Sequence, residues 1–348
     1  MNIRKAKLSH KNKVSDGIKR FSHISIVGYE YNNHNIHNNH KYSDYDTCTM
    51  YDKYSDYNQK NCNDNDYDTF IWTKEILESY EINDWIDTIK KEMKNGKNIY
   101  NMARLYRIGD YVELRQCAKK HNIKFFDCSN PYRFDELKEY AKMGLKGIDS
   151  KIITIVGTGR RSGKFTTSMI LKEKLGEYLK IGTVGTEPQS KLCGIDEMII
   201  PQPIPLCHVS PTIFGAVKKV DLKNNDLIIV SGQTGIFSNP LEIGTGRGGS
   251  ISSLSILLGS RPDYVILASN TVDTDCIKKH IDAINLISGS EVIGITINSK
   301  NLNSNEEDIK DAMSNISSKF GVPVANVITG TNLKDLIKHI LYKLEQIG

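Results

Sequence analysis

The stretch Lys151–Leu179, KIITIVGTGRRSGKFTTSMILKEKLGEYL, constrains this chain more than any other. Lys151 to Val156 is β-branched and uncharged after its first residue, the pattern of a strand buried on both faces. Met169, Leu171, Leu175 and Leu179 then recur at near-helical spacing. Between strand and helix lies GTGRRSGKFTT. Gly157, Gly159 and Gly163 let the backbone turn its amides toward an anion, a helix starting near Gly163 offers its positive end, and Lys164 adds a full charge. These features in this order predict a phosphate cradle on the central strand of an α/β fold: a parallel sheet of P-loop NTPase type with helices on both faces.

The loop departs from the common P-loop in two ways. Five residues separate Gly157 from Gly163 where the usual pattern has four, and Phe165 stands where a Ser or Thr normally ligates Mg²⁺. Thr166 and Thr167 supply hydroxyls one and two positions later, which makes Thr166 the candidate metal ligand. Candidate cofactor contacts therefore run through Gly157, Thr158, Gly159, Arg160, Arg161, Ser162, Gly163, Lys164, Thr166 and Thr167. The longer spacing resembles the GT-x4-GK loop of dethiobiotin synthetase and its relatives.

At 348 residues with 39% hydrophobic content, the chain is long enough for two modest domains. A net charge of +5 without a long Lys/Arg run calls for no nucleic-acid partner. No apolar stretch approaches the roughly 20 residues of a membrane span, and Met1–Arg20 lacks the apolar centre of a secretory signal. The expectation is a cytoplasmic protein acting on a small-molecule substrate, with a homo-oligomer left open. Seven cysteines, odd in number and without C-x-x-C, argue against a disulfide framework or a zinc site.

Residues 1–149 read as a smaller Rossmann-like α/β domain. A basic arm (Arg4, Lys5, Lys7, Lys11, Lys13) leads to a first strand at His23–Gly28. From Tyr29 to Asp68 the composition turns to Asn, Tyr, Asp and His, too poor in aliphatics to offset ordering entropy, and reads as a disordered insertion in which His34, His37 and His40 are solvated. Thr69–Trp72 restores order, followed by a helix through Trp85–Met93, a strand at Ile99–Asn101, a helix at Asp110–His121 and a strand at Ile123–Cys128. Phe134–Leu145 reads as a linker helix, with the domain boundary near Ser150.

Residues 150–348 form the P-loop domain in this reading. Ile181–Thr186 leads into Glu187 and a proline-rich stretch through Pro211, a candidate substrate loop. Asp226–Val230 is a buried strand ending in Ser231-Gly232-Gln233-Thr234-Gly235, and Glu242–Ser250 is a glycine-rich mobile loop with Arg247 at its tip. Tyr264–Ala268 and Val292–Ile297 are further buried strands with helices at Asp275–Ile287 and Glu306–Phe320. Val324–Ile328 adds an edge strand, and Leu333–Ile347 a closing helix. Right-handed crossovers place the loops after these strands along one edge.

Nearly end to end, apart from the Asn/Tyr-rich insertion, the chain resembles the DgcN-like P-loop family, formerly a domain of unknown function and named after D-glutamate N-acetyltransferase. The likeness lies in GTGRRSGKFTT, in DLIIVSGQTGI with SILLGSRPDYVILAS, in GITINS and in FGVPVANVITG, with weaker matches in the first half. Where that family usually carries a carboxylate before its GQ-x-G turn, this chain has Ser231, and Ser269 or Asn270 replaces an expected histidine. The resemblance implies an N-acyltransferase acting on an acidic amino acid, its loop gripping acetyl-CoA or CoA. The dethiobiotin-synthetase likeness implies instead an ATP- and Mg²⁺-dependent ligase or kinase, and a non-catalytic nucleotide-binding protein is the third reading. Lys164, Glu187 and Gln233 are the candidate catalytic residues, and Asn298 is expected to read the base of a nucleotide.

Overall fold

The structure is a computed structural model that describes residues 1–31, 66–105, 112–130, 132–237, 249–302 and 304–346. The chain forms two compact units, Met1–Cys128 and Ser129–Gly348. The interior of the Asn/Tyr-rich insertion, with His34, His37 and His40, and the loop carrying Arg247 lie outside the described residues.

In the first unit β1 (Lys5–His10), α1 (Lys13–Phe21), β2 (Ser25–Tyr31), β3 (Thr69–Trp72), α2 (Ile82–Lys94), β4 (Asn98–Asn101), α3 (Val112–Lys120) and β5 (Phe125–Asp127) build a parallel sheet of order β2-β1-β3-β4-β5. The basic arm is a correction: it is β1, and it pairs with both β2 and β3. Ala6 and Leu8 are fully buried while Lys5 and Lys7 face outward to Asp66 and Glu30, so period-two alternation lay beneath the charges. Trp85, Ile86, Ile89 and Met93 bury one face of α2 against Phe70, Trp72 and Ile99. That helix stops at Asn95, where Gly96 takes a φ of +76°.

The second unit contains α4 (Tyr132–Gly144), β6 (Lys151–Gly157), α5 (Lys164–Leu175), β7 (Ile181–Gly185), β8 (Glu197–Met198), α6 (Leu206–Asp221), β9 (Leu227–Ser231), α7 (Gly249–Ser260), β10 (Tyr264–Ser269), α8 (Thr274–Ser288), β11 (Glu291–Ile297), α9 (Glu306–Phe320), β12 (Val324–Asn326) and α10 (Leu333–Glu345). Its seven strands run parallel in the order β12-β11-β10-β6-β9-β7-β8, so β6 is central. Leu171 and Leu175 of α5 and Leu336 and Ile340 of α10 cover one face. Leu257, Ile277, Ile284, Met313 and Ile316 from α7, α8 and α9 cover the other. Helices on both faces explain why these strands are apolar throughout. No helix among the described residues is long and apolar enough to cross a membrane.

Two further expectations change. The helix expected as a linker, α4, belongs to the second unit and packs on α6, so the boundary falls at Cys128/Ser129 and not near Ser150. Phe134, Leu137 and Ala141 are buried there, and a Cβ on Gly215 of α6 would lie 1.6 Å from the Leu137 carbonyl oxygen. The proline-rich stretch is only partly a loop. Pro205 occupies the position before α6, Pro211 lies inside that helix, and the short edge strand β8 precedes both of these prolines.

Asp221, at the end of α6, holds the entry to β6. Its carboxylate accepts from the Asp149 amide (3.0 Å), the Ser150 amide (2.8 Å) and hydroxyl (2.8 Å), and the Lys218 ammonium (2.7 Å). Burial raises its pKa, but the Lys218 and Ser150 bonds outweigh that and hold it below the usual carboxylate value. A depressed folded pKa stabilises above the unfolded value, and the contribution is lost as pH falls through the folded one. Asp221→Asn is expected to cost about 2 kcal/mol at neutral pH. Urea titrations should show that deficit shrinking as the pH is lowered below the ordinary Asp range.

Candidate functional site: the phosphate loop

β6 ends at Gly157 and α5 begins at Lys164, so the six-residue loop Thr158–Gly163 sits at the carboxyl edge of the central strand. That is where an open α/β sheet leaves a crevice for ligands. Two glycines shape the loop. Gly163, the residue before α5, has a φ of +92°, and a Cβ on Gly157 would come within 2.7 Å of the Lys164 ammonium and 2.9 Å of its Cδ. The Lys164 side chain therefore folds back over the strand end. It is buried, and its ammonium donates to the Gly159 carbonyl (2.8 Å) and to Ser162 Oγ (3.2 Å). An arriving phosphate can take over these bonds, with the first-turn amides of α5 adding their share.

The loop is pinned from outside by two asparagines. Asn270, just past β10, donates to the Arg160 carbonyl (3.0 Å), and Asn298, just past β11, donates to the Arg161 carbonyl (2.6 Å). Thr158 Oγ1 in turn donates to Asn270 Oδ1 (2.9 Å). Arg161 is exposed and sits at a φ of +61°, a conformation that needs such holding in a residue with a Cβ. Asn270→Ala should weaken phosphate-ligand binding a fewfold by loosening the loop, about 1 kcal/mol for one net hydrogen bond. Calorimetry of that variant with ATP or coenzyme A checks it, and an unchanged affinity would show that the bond does not shape the cradle.

Several residues expected at the site have other positions. Asn298 is buried and uses its amide nitrogen on Arg161 and its oxygen on the Lys300 amide (3.3 Å), so its visible work is loop support and capping. Gln233 has both ends of its side chain engaged: Nε2 donates to the Thr186 carbonyl (2.7 Å) and Oε1 accepts from Gln202 (2.7 Å). It braces the turn after β9 against the end of β7. Thr167 shares a hydrogen bond with Thr296 in the sheet (3.0 Å), while Thr166 is a half-buried residue whose hydroxyl makes no hydrogen bond to a described residue. Glu187 follows β7 and is half-buried. The turn after β9 meets the loop at backbone distance, since a Cβ on Gly235 would lie 2.6 Å from the Thr158 carbonyl.

Asn270 is a supporting residue that its local sequence context does not mark, since there it stands only in place of an expected histidine. An asparagine at the first position beyond each of two neighbouring parallel strands was the available signal.

A family profile described as "Domain of unknown function (DUF1611_C) P-loop domain" matches residues 139–336. The crystal structure of a DUF1611 family protein from Anabaena variabilis superposes with a TM-score of 0.67 at 15% identity, over 98% of this chain and 100% of that one. A nucleotide-binding protein in complex with ADP from Archaeoglobus fulgidus matches with a TM-score of 0.40 at 14% identity, over 58% of this chain and 93% of its own. Hydrogenase maturation factor HypB from the same organism gives 0.36 at 16%, over 60% and 97%. No curated protein matches the chain. Because the profile covers more than half of the chain, and the loop it contains has the geometry described above, the protein belongs to the DUF1611 family and its second unit is a P-loop domain.

Proposed function

We propose that the loop binds the phosphates of coenzyme A and that the protein transfers an acyl group from the thioester to the amine of an acidic amino acid such as D-glutamate. The observation that carries the phosphate part is the Lys164 ammonium lying across a loop opened by Gly157 and Gly163. Arg160 and Arg161 favour coenzyme A, whose 3′-phosphate adds an anion that planar guanidinium groups grip well. The acyl step rests on the resemblance to D-glutamate N-acetyltransferase sequences. In that step the amine attacks the thioester carbonyl, the thiolate leaves, and the amine gives up a proton, for which Glu187 is a carboxylate at the same sheet edge.

A second reading, an ATP-dependent ligase or kinase, draws support from the Thr166 hydroxyl, which bonds to no described residue and could serve Mg²⁺. A thermal-shift panel of acetyl-CoA, ATP and GTP, each with and without D-glutamate and Mg²⁺, separates the two. Ligand at 100 times its Kd stabilises by about 2.7 kcal/mol. Acetyl-CoA is expected to raise the melting temperature and to yield an N-acetylated amino acid with free thiol. Mg²⁺-dependent ATP hydrolysis without response to acetyl-CoA would replace the acyltransferase reading with the ligase one.

A further inference from the structure

In P-loop proteins Mg²⁺ is held by a hydroxyl directly after the loop lysine and by a carboxylate at the end of a nearby strand, with water and phosphate oxygens completing the octahedron. Neither protein ligand is in place here. Phe165 follows Lys164, and its side chain has no ligand atom. Ser231 ends β9, the strand paired with β6, and its hydroxyl is fully buried without a hydrogen-bond partner among the described residues. Thr167 is bonded to Thr296, which leaves Thr166. Among the described residues no group of three His, Cys, Asp or Glu side chains could hold a metal ion. Glu187 follows β7, which β9 separates from β6. A displaced hydroxyl without the usual carboxylate is a weaker donor set for a hard dication than the hydroxyl and carboxylate together.

We infer that this loop binds its phosphate ligand without a divalent cation, Lys164, Arg160 and Arg161 balancing the charge, and that Ser231 at the carboxylate position fixes this property. Two guanidinium groups bring the same formal charge as one Mg²⁺, on a backbone that Asn270 and Asn298 pin at the Arg160 and Arg161 carbonyls. A carboxylate in place of Ser231 would add negative charge next to the phosphates and would need a cation to offset it. The inference rests on the phosphate-site reading above and goes beyond it by removing the metal.

The test is calorimetry on the whole protein with ATP and with coenzyme A, in EDTA and in millimolar Mg²⁺. The wild type is expected to bind its preferred ligand with a Kd that agrees within about threefold between the two conditions. Ser231→Asp should bind at least about tenfold more weakly in EDTA and recover in Mg²⁺. Because a buried aspartate can unfold the protein, Arg160→Gln combined with Arg161→Gln supplies an independent arm, expected to lose about tenfold or more in EDTA. Wild-type affinity that rises about tenfold with Mg²⁺ would overturn the inference while leaving the phosphate site standing. Full affinity in the double arginine variant would overturn it as well. Absence of binding by either ligand in either condition would remove the phosphate site itself, and this inference with it.

Discussion

Lys164→Ala is expected to lower affinity for the phosphate ligand more than tenfold while the protein stays folded. A charge-assisted bond contributes about 1.5–3 kcal/mol, and each 1.4 kcal/mol is a factor of ten. The ammonium bonds to Gly159 and Ser162 lie within the same loop, so their loss should cost stability only about 1 kcal/mol, or 2–4 °C for a unit of this size. Lys174→Ala is the control, because Lys174 lies farther along α5 and pairs with Glu173 and Glu177 on the surface. Calorimetry of both variants beside their melting curves separates binding from folding. Equal affinity in wild type and Lys164→Ala would make the loop a structural turn and end the nucleotide reading of the second unit.

The largest effect on stability is expected from Gly215→Ala. In most helix interiors this exchange stabilises, since alanine is favoured over glycine by about 1 kcal/mol. Here the added carbon would sit 1.6 Å from the Leu137 carbonyl oxygen, and a backbone atom of α4 cannot move aside as a flexible side chain could. The neighbouring contacts are also close: a Cβ on Gly144 would meet Phe214 at 2.9 Å, and one on Gly259 of α7 would meet the Ser210 carbonyl at 2.6 Å. Pushing α4 away from α6 should therefore cost about 3 kcal/mol, or roughly 6–12 °C. A melting temperature at or above the wild-type value would show that the two helices are not packed at backbone distance.

The second sheet was legible because β6, β9, β10 and β11 are buried on both faces, and continuous apolar runs advertise that state. What escaped the sequence was hidden by competing signals. In β1 the lysines drew attention from the alternating Ala6 and Leu8, and charge says little about a strand whose outer face is solvated. In α6 the prolines suggested a loop, yet Pro205 lies at the start of the helix, where a missing amide costs nothing. The amphipathic α4 shows no marker in its own residues for which unit it joins, because that depends on Gly215 far along the chain. The cradle was readable from its glycines and Lys164. Its asparagine supports were not, since those bonds span 110 and 137 residues and no local period encodes them.

The two asparagines grip carbonyl oxygens, which every residue possesses, and not the side chains of Arg160 and Arg161. The form of the cradle and the chemistry it displays are thus written in different atoms. Substitution at either arginine can change which anion the loop prefers while the curve of the backbone persists, so long as the strand-end amides remain. Ligand choice in such a protein can drift through two positions without the fold having to be relearned, and relatives with the same pins but other residues in the loop should share a shape without sharing a substrate.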